Sequence, residues 1–286
     1  MKPSRAQLVL LAVLSEAPRS PSRTELVKWV FLLTQETSVG SLPGMYEFVP
    51  YRYGPFSFTM YKDLHKLRAL GYVAQETLAL THRGRQVVAD NLASLPGQAH
   101  VELMSAVRRA ARLRRGALLR YVYERHPYFA SKSELAGRPH DGADTAVFTC
   151  GYQGSSLEAF FNKIIRAGIS QILDVRHSTW SRRYGFTEKV FPRVSLRLDI
   201  QYDHVPQLGV PPDLRQNLRT EEQYEKLFRD YEMTIASQQQ LVEQLASTMA
   251  NVPSVLICYE ADPDCCHRSR LAEKLASINE LEIVHL

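Results

Sequence analysis

The chain has 286 residues, 45% of them hydrophobic and 23% charged, with a formal net charge of +5 and four cysteines. That length favours two domains over a single core, and the composition is that of an ordinary globular protein. The longest apolar run near the start, Leu8–Leu14, is too short to span a bilayer, and nothing after it reads as a signal-peptide cleavage site. Three of the cysteines crowd into residues 258–266, which is not the pattern of a secreted disulfide framework. A cytoplasmic protein without a membrane partner is therefore expected.

Charge is unevenly spread. Lys and Arg number 20 against 10 Asp and Glu in residues 1–140, and 15 against 20 in residues 141–286, so the halves carry about +10 and −5. This asymmetry points to a polyanion as partner of the N-terminal part.

In chain order, residues 4–17 repeat apolar positions at helical spacing, and the segment "SPSRTELVKWVFLLTQ" opens a second helix behind a Ser/Pro start signal. Gly54-Pro55 predicts a turn, and a third helix runs from Phe56 or Ser57 to about Leu70, where Gly71 ends it. The stretch "YVAQETLALT" predicts two short strands joined by a polar turn, and a further helix follows with Thr81 as its cap. Helix, helix, helix, two-stranded wing, helix is the order of a winged helix-turn-helix domain, which residues 1–95 resemble. The segment "YRYGPFSFTMYKDLHKLRALGYV" also resembles antitoxin-type Panacea domains. Such a domain puts its third helix in the major groove and its wing on the backbone. That gives Lys62, His65, Lys66 and Arg68 on the helix, and Arg83 and Arg85 after the wing, as candidate nucleic-acid contacts. A winged helix that binds protein instead is the alternative.

Residues 96–145 read as a basic helical connector and linker. One or two helices over 99–126 carry Arg108, Arg112 and Arg115, which can follow a phosphate backbone with salt-dependent affinity. The polar, Gly-containing stretch 129–146 suits a linker. A solvated connector helix is the competing reading of the arginines.

After residue 145 strands alternate with helices. "AVFTCGY", "QILDVR", "SVLICYE" and "LEIVHL" read as strands, separated by helices over "SSLEAFFNKIIRAG", "TEEQYEKLFRDYEMTI", "SQQQLVEQLASTMAN" and "CHRSRLAEKLASIN". The expected fold of 146–286 is an α/β domain with a mostly parallel sheet, whose ligands gather beyond the carboxyl ends of the strands. Polar clusters lie at three such ends: Tyr152 with Gln153, Asp174 with Arg176, and Glu260 through Arg268.

The segments "FTCGYQGSSLEAFFNKI", "ILDVRHSTWSRRYGF", "VPQLG" and "VLICYEADPDCCHRSRLAEKLAS" resemble the bacterial and archaeal family known as domain of unknown function 488. The family pattern often has an acidic residue after Gly-Tyr, where this chain has Gln153. The resemblance implies positions and a fold, and leaves the chemistry to the residues.

In "CYEADPDCCHR" (258–268), Cys258 and Glu260 alternate at a strand end and share one side, while Cys266, His267 and Arg268 begin a helix. Three chemistries compete. Zinc would draw on Cys258, Cys265, Cys266 and His267, but adjacent Cys-Cys-His does not readily place three ligands on one tetrahedron, so no metal and no cofactor are expected. A nucleophilic Cys265, with its pKa lowered at a helix start near His267 and Arg268, is the second. The third is a polar pocket for a phosphorylated or nucleotide substrate. There Arg176, Arg182, Arg183 and Arg268 would grip phosphate, Asp174 and Glu260 would serve as general acid and base, and Tyr152 would stack or donate. Against this stands a plainly structural role, with Asp174–Arg268 or Glu260–Arg176 as buried ion pairs. Asp174, Arg176, Glu260 and Arg268 are expected to share one hydrogen-bonded cluster, with Tyr152 at its rim.

Two functions follow. One is a DNA-binding protein whose α/β domain acts on nucleic acid, by base excision or by processing a strand or end, with double-stranded DNA as partner. The other is a DNA-binding regulator whose α/β domain senses a small anionic ligand or thiol oxidation.

Overall fold

The computed structural model describes residues 2–134, 145–215 and 220–286, so most of the linker expected at 129–146 lies outside the described residues. The chain divides into two compact units, Met1–Pro139 and His140–Leu286. Among the described residues no helix is long and apolar enough to cross a membrane.

The first unit is mostly helical. α1 (Arg5–Glu16) and α2 (Arg23–Glu36) both open on capping boxes, Ser4 with Gln7 and Ser22 with Glu25, in which cap and third residue satisfy each other's backbone donors. Residues Ala6–Leu14 and Glu25–Thr34 are buried without a break, so both helices are enclosed on all sides rather than amphipathic. β1 (Val49–Tyr51) and β2 (Gly54–Phe56) form an antiparallel hairpin that pairs Val49 with Phe56. The expected Gly54-Pro55 turn is therefore the start of a strand, with Gly54 at φ 85° where the chain re-enters it.

α3 (Phe58–Ala69) starts at Ser57, whose side chain caps Met60 N, and gives way to Gly71 at φ 72°. The two wing strands expected over 72–81 reduce to one bridge, Val73 with Leu80, and only Gln75, Glu76 and Thr77 between them form the polar, exposed turn. α4 (His82–Asn91) is capped by Thr81 as expected.

α5 (Gly97–Arg112) and α6 (Arg115–Arg125) follow, then the short α7 (Pro127–Ala130). Leu103, Val107, Leu118 and Val122 join the same buried cluster as Leu11, Trp29 and Phe31. The arginine-bearing helices thus belong to the core of this unit and are not a free-standing connector.

The second unit contains β3 (Val147–Gly151), α8 (Leu157–Arg166), β4 (Gln171–Asp174), α9 (Phe191–Arg197) and β5 (Gln201–His204). After them come α10 (Glu221–Ser237), α11 (Gln239–Asn251), β6 (Ser254–Cys258), α12 (His267–Asn279) and β7 (Ile283–His285). The five strands stand in the order β5-β4-β6-β3-β7, and every neighbouring pair is parallel. The α/β expectation is met with a fully parallel sheet.

From β3 to β4 to β5 the chain moves one way across the sheet, and from β5 to β6 and β6 to β7 it moves the other. Right-handed crossovers then put α8 and α9 on one face and α10, α11 and α12 on the opposite one. Leu173, Val175 and Leu256 pack with Leu245, Leu271 and Leu275 on the second face. On the first, Phe160 and Phe161 of α8 meet Phe191 of α9. Since β3 and β6 are neighbours whose following helices leave to opposite faces, a crevice opens between their carboxyl ends.

Candidate functional site

The crevice is closely stitched at its base. Tyr152 N donates to Cys258 O (3.3 Å), Gln153 N to Tyr259 O (2.8 Å), and Ala261 N to Gln153 Oε1 (3.2 Å). A Cβ on Gly151 would lie 1.8 Å from Glu260 O, so only glycine allows this approach. Gln153 is exposed and holds the loop after β6 through its amide oxygen.

At the end of β4, Asp174 and Arg176 form a buried ion pair. Arg176 donates through Nε to Asp174 Oδ1 (2.8 Å) and through Nη2 to Oδ2 (2.5 Å), the fork geometry that suits guanidinium and carboxylate. Its Nη1 donates to Tyr152 Oη (2.9 Å) and Phe186 O (3.0 Å), and Tyr202 Oη donates to Asp174 Oδ2 (2.7 Å). Burial alone would lower the Arg176 pKa, but the bonds and charge of Asp174 raise it. Burial, and then the Asp174 charge, raise the Tyr202 pKa, so its hydroxyl stays a donor. Tyr152 is 2% exposed and stacks on Phe186 at 4.2 Å. It is a packed member of this cluster rather than a residue at its rim.

The end of β6 is built differently. Cys258 Sγ and Cys266 Sγ lie 3.1 and 3.3 Å from Glu260 Oε2, and 3.8 and 4.0 Å from His267 Nδ1. His267 Nε2 sits 3.2 Å from Val175 O. A carbonyl only accepts, so Nε2 carries the proton and the Nδ1 lone pair faces the sulfurs. Burial would raise the Glu260 pKa, but bonds from Cys258 and Cys266 and the charge of Arg215 leave it lowered. Burial, with Cys258 beside it, pushes the Cys266 thiol well up.

Cys265 points elsewhere. It is exposed, with Sγ 3.8 Å from Asp262 Oδ2, and what burial it has, together with Asp262 and Asp264, raises its pKa. The lowered pKa expected for a nucleophile is not there, because α12 begins two residues later and acidic groups are its nearest charges. Arg268 is 1% exposed, and its guanidinium donates to Glu260 O and to Ala261 O (2.9 Å), so it fastens the loop and does not face a ligand.

The single cluster expected from Asp174, Arg176, Glu260 and Arg268 is therefore two clusters. Neither Asp174–Arg268 nor Glu260–Arg176 is among the ion pairs of the described residues. Asp174 pairs with Arg176, and Arg215 Nη1 approaches Glu260 Oε1 at 3.6 Å.

Beside both clusters lies a cleft of about 650 Å³, with Arg182, Arg183, Arg215, Trp180, Tyr259 and Arg176 among its lining residues. Trp180 is 71% exposed, with Arg182 Cζ 5.8 Å from its ring centre. Arg182 and Arg183, expected to grip phosphate, both line this cleft. Trp180, Arg215 and Tyr259 lie outside the residues expected from the sequence, although an aromatic followed by two arginines in "STWSRR" is a readable signal.

In the first unit, Lys62, His65 and Lys66 are exposed along α3, opposite buried Met60, Leu64 and Leu67. Arg83, Arg108, Arg112 and Arg115 are exposed too, with Arg108 near Glu16 at 3.7 Å. Arg68 and Arg85 instead donate to the carbonyls of Thr77 (3.3 Å) and Leu80 (2.9 Å), bracing the turn that they flank.

Comparison with known proteins gives one match. No curated protein and no solved structure matches the chain. The family model described as Domain of unknown function DUF488 matches residues 156–275, which places the resemblance within the second unit.

Proposed function

We propose that the protein binds nucleic acid and that its α/β unit receives a nucleotide, an extruded base or a strand end in the cleft between Trp180, Tyr259 and the arginines. The observation that carries this reading is the composition of the cleft. Arg182, Arg183 and Arg215 supply forked donors for phosphate, and an exposed indole with a phenol supplies surfaces for a base. The position agrees, at the strand ends where parallel sheets take ligands. Exposed Lys62, His65 and Lys66 on α3, with Arg112 and Arg115 on the later helices, supply the charge for duplex contacts in a winged-helix manner. Processing of the bound strand, by base excision or phosphodiester cleavage, is the activity that such a pocket would serve.

A second reading has its own support. Asp174 is taken up by Arg176 and Tyr202, and Glu260 by two thiols, so neither carboxylate stands free as a base. That arrangement favours a DNA-binding regulator whose cleft senses a small anionic ligand.

One optical experiment tests the shared part. The chain has two tryptophans, Trp29 at 1% exposure and Trp180 at 71%, so a soluble quencher reports mainly on Trp180. Oligonucleotides should shield Trp180 in the parent and fail to do so in an Arg182→Ala/Arg183→Ala variant. Unchanged quenching with every oligonucleotide and mononucleotide tried would remove the cleft from both readings. Gel-resolved turnover on modified and unmodified DNA then separates enzyme from sensor.

A further inference from the structure

We infer that Cys258, Cys266 and His267, with Glu260 as fourth ligand, form a zinc site between the end of β6 and the start of α12. The three donor atoms Cys258 Sγ, Cys266 Sγ and His267 Nδ1 lie within 4.8 Å of one another, and all three residues are buried. Glu260 Oε2 faces the two sulfurs at 3.1 and 3.3 Å, and Nδ1 stands 3.8 and 4.0 Å from them. With Zn–S near 2.3 Å and Zn–N near 2.0 Å, the edges of a tetrahedral site are about 3.5–3.8 Å. The four edges that involve the sulfurs, from 3.1 to 4.0 Å, bracket those values.

The objection that adjacent Cys-Cys-His cannot share one tetrahedron concerns three consecutive residues. It does not apply here: Cys265 turns to solvent, and Cys258 arrives from the strand in its stead.

The surroundings fit a metal as well. The Nε2–H···O bond to Val175 fixes the tautomer that offers Nδ1, as an outer-shell partner does for a ligating histidine. The Tyr231 ring meets His267 edge-on at 5.0 Å and walls off one side. Two thiols and an imidazole select zinc over the hard cations that prefer oxygen. On binding, each thiol loses its proton to solvent and the ion keeps its +2 charge, so nothing is oxidised or reduced. Two thiolates, a carboxylate and neutral imidazole leave the filled site at −1, and Arg215, 3.6 Å from Glu260 Oε1, offsets that charge. Tyr259, between ligands Cys258 and Glu260, lines the cleft together with Arg215. The metal would thus set the position of one cleft wall. The inference does not depend on what the cleft binds.

The test uses the full chain purified with reductant. Elemental analysis should find about one zinc per chain, and replacement by cobalt should give the charge-transfer absorption of thiolate ligands with the visible bands of a tetrahedral ion. Cys258→Ser and Cys266→Ser should each abolish the thiolate absorption or the binding, whereas Cys265→Ser should leave both intact. Glu260→Gln should weaken affinity by about 10-fold or more.

The inference is overturned if the reduced, folded parent takes up neither zinc nor cobalt. It is equally overturned if Cys265→Ser is as damaging as Cys266→Ser, or if mass spectrometry finds Cys258 and Cys266 joined as a disulfide under reductant. Should the ligand variants fail to fold, metal content and the cobalt spectrum of the parent decide alone.

Discussion

The ends of β4 and β6 are neighbours in one sheet and solve opposite problems. At β4, a carboxylate and a guanidinium share two bonds and two tyrosine hydroxyls complete the set, so the charges of Asp174 and Arg176 are consumed inside the protein. At β6, two thiols, a carboxylate and an imidazole nitrogen turn towards one another, and all four are groups that ligate metals. A sequence motif rich in polar residues can therefore mark a saturated brace or a receptive site. What separates them is whether donors and acceptors balance. Asp174–Arg176 balances as a closed ion pair, while the β6 group holds its thiols and carboxylate together only through weak S–H donors.

Asp174→Asn should strand the Arg176 charge in the interior and cost about 3–5 kcal/mol in urea unfolding, the usual penalty for removing one partner of a buried pair. A loss within experimental error would mean that the brace is not a brace. Tyr202→Phe removes one bond to the same carboxylate and should cost about 1.5–3 kcal/mol, because a bond to a charged group is lost.

Lys28 in the first unit sharpens the contrast, as a buried cation whose ammonium donates to Pro55 O at 3.1 Å and has no carboxylate partner among the described residues. Burial lowers its pKa from 10.5 to about 7. Between those values the unfolded chain holds more protons than the folded one, so stability should rise with pH from about 7 towards 10.5, fall over the same window as pH is lowered, and level off below about 7. The slope approaches 1.4 kcal/mol per pH unit, about one proton's worth. Lys28→Met should flatten that slope and raise the melting temperature at pH 7; an unchanged pH profile would show that the ammonium reaches water. The smallest effect belongs to Cys265→Ser, expected within about 0.5 kcal/mol of the parent because the side chain is exposed. A larger loss would move Cys265 into the β6 group.

Much of this architecture is legible in the residues. Ser156 and Thr81 cap the helices that they precede, apolar runs mark β3, β4 and β6, and the alternation at 258–260 puts Cys258 and Glu260 on one side. β5 is not legible, since "QYDH" is a polar edge strand with hardly a buried residue, and hydrophobic patterning cannot announce it. With β5 goes Tyr202, and with Tyr202 the hydroxyl that completes the engagement of Asp174. The choice between Cys265 and Cys266 turns on where α12 begins, to within one residue, a precision that composition does not carry. Strand order is a long-range property, so the pairing of Asp174 with a residue two positions on, rather than with Arg268, follows from packing alone.

The order of the strands also sets a timetable. Phe148 pairs with Val255 on one side and Val284 on the other, so β3 waits for roughly a hundred further residues before either partner has been translated. At about 5–20 residues per second that is several seconds during which an apolar strand has no ladder to join. The crevice above β3 and β6 cannot exist before Ser254–Cys258 has left the ribosome. A ribosome stalled before Ser254 should accordingly display a protease-sensitive α/β segment in which β3 has neither of its neighbours.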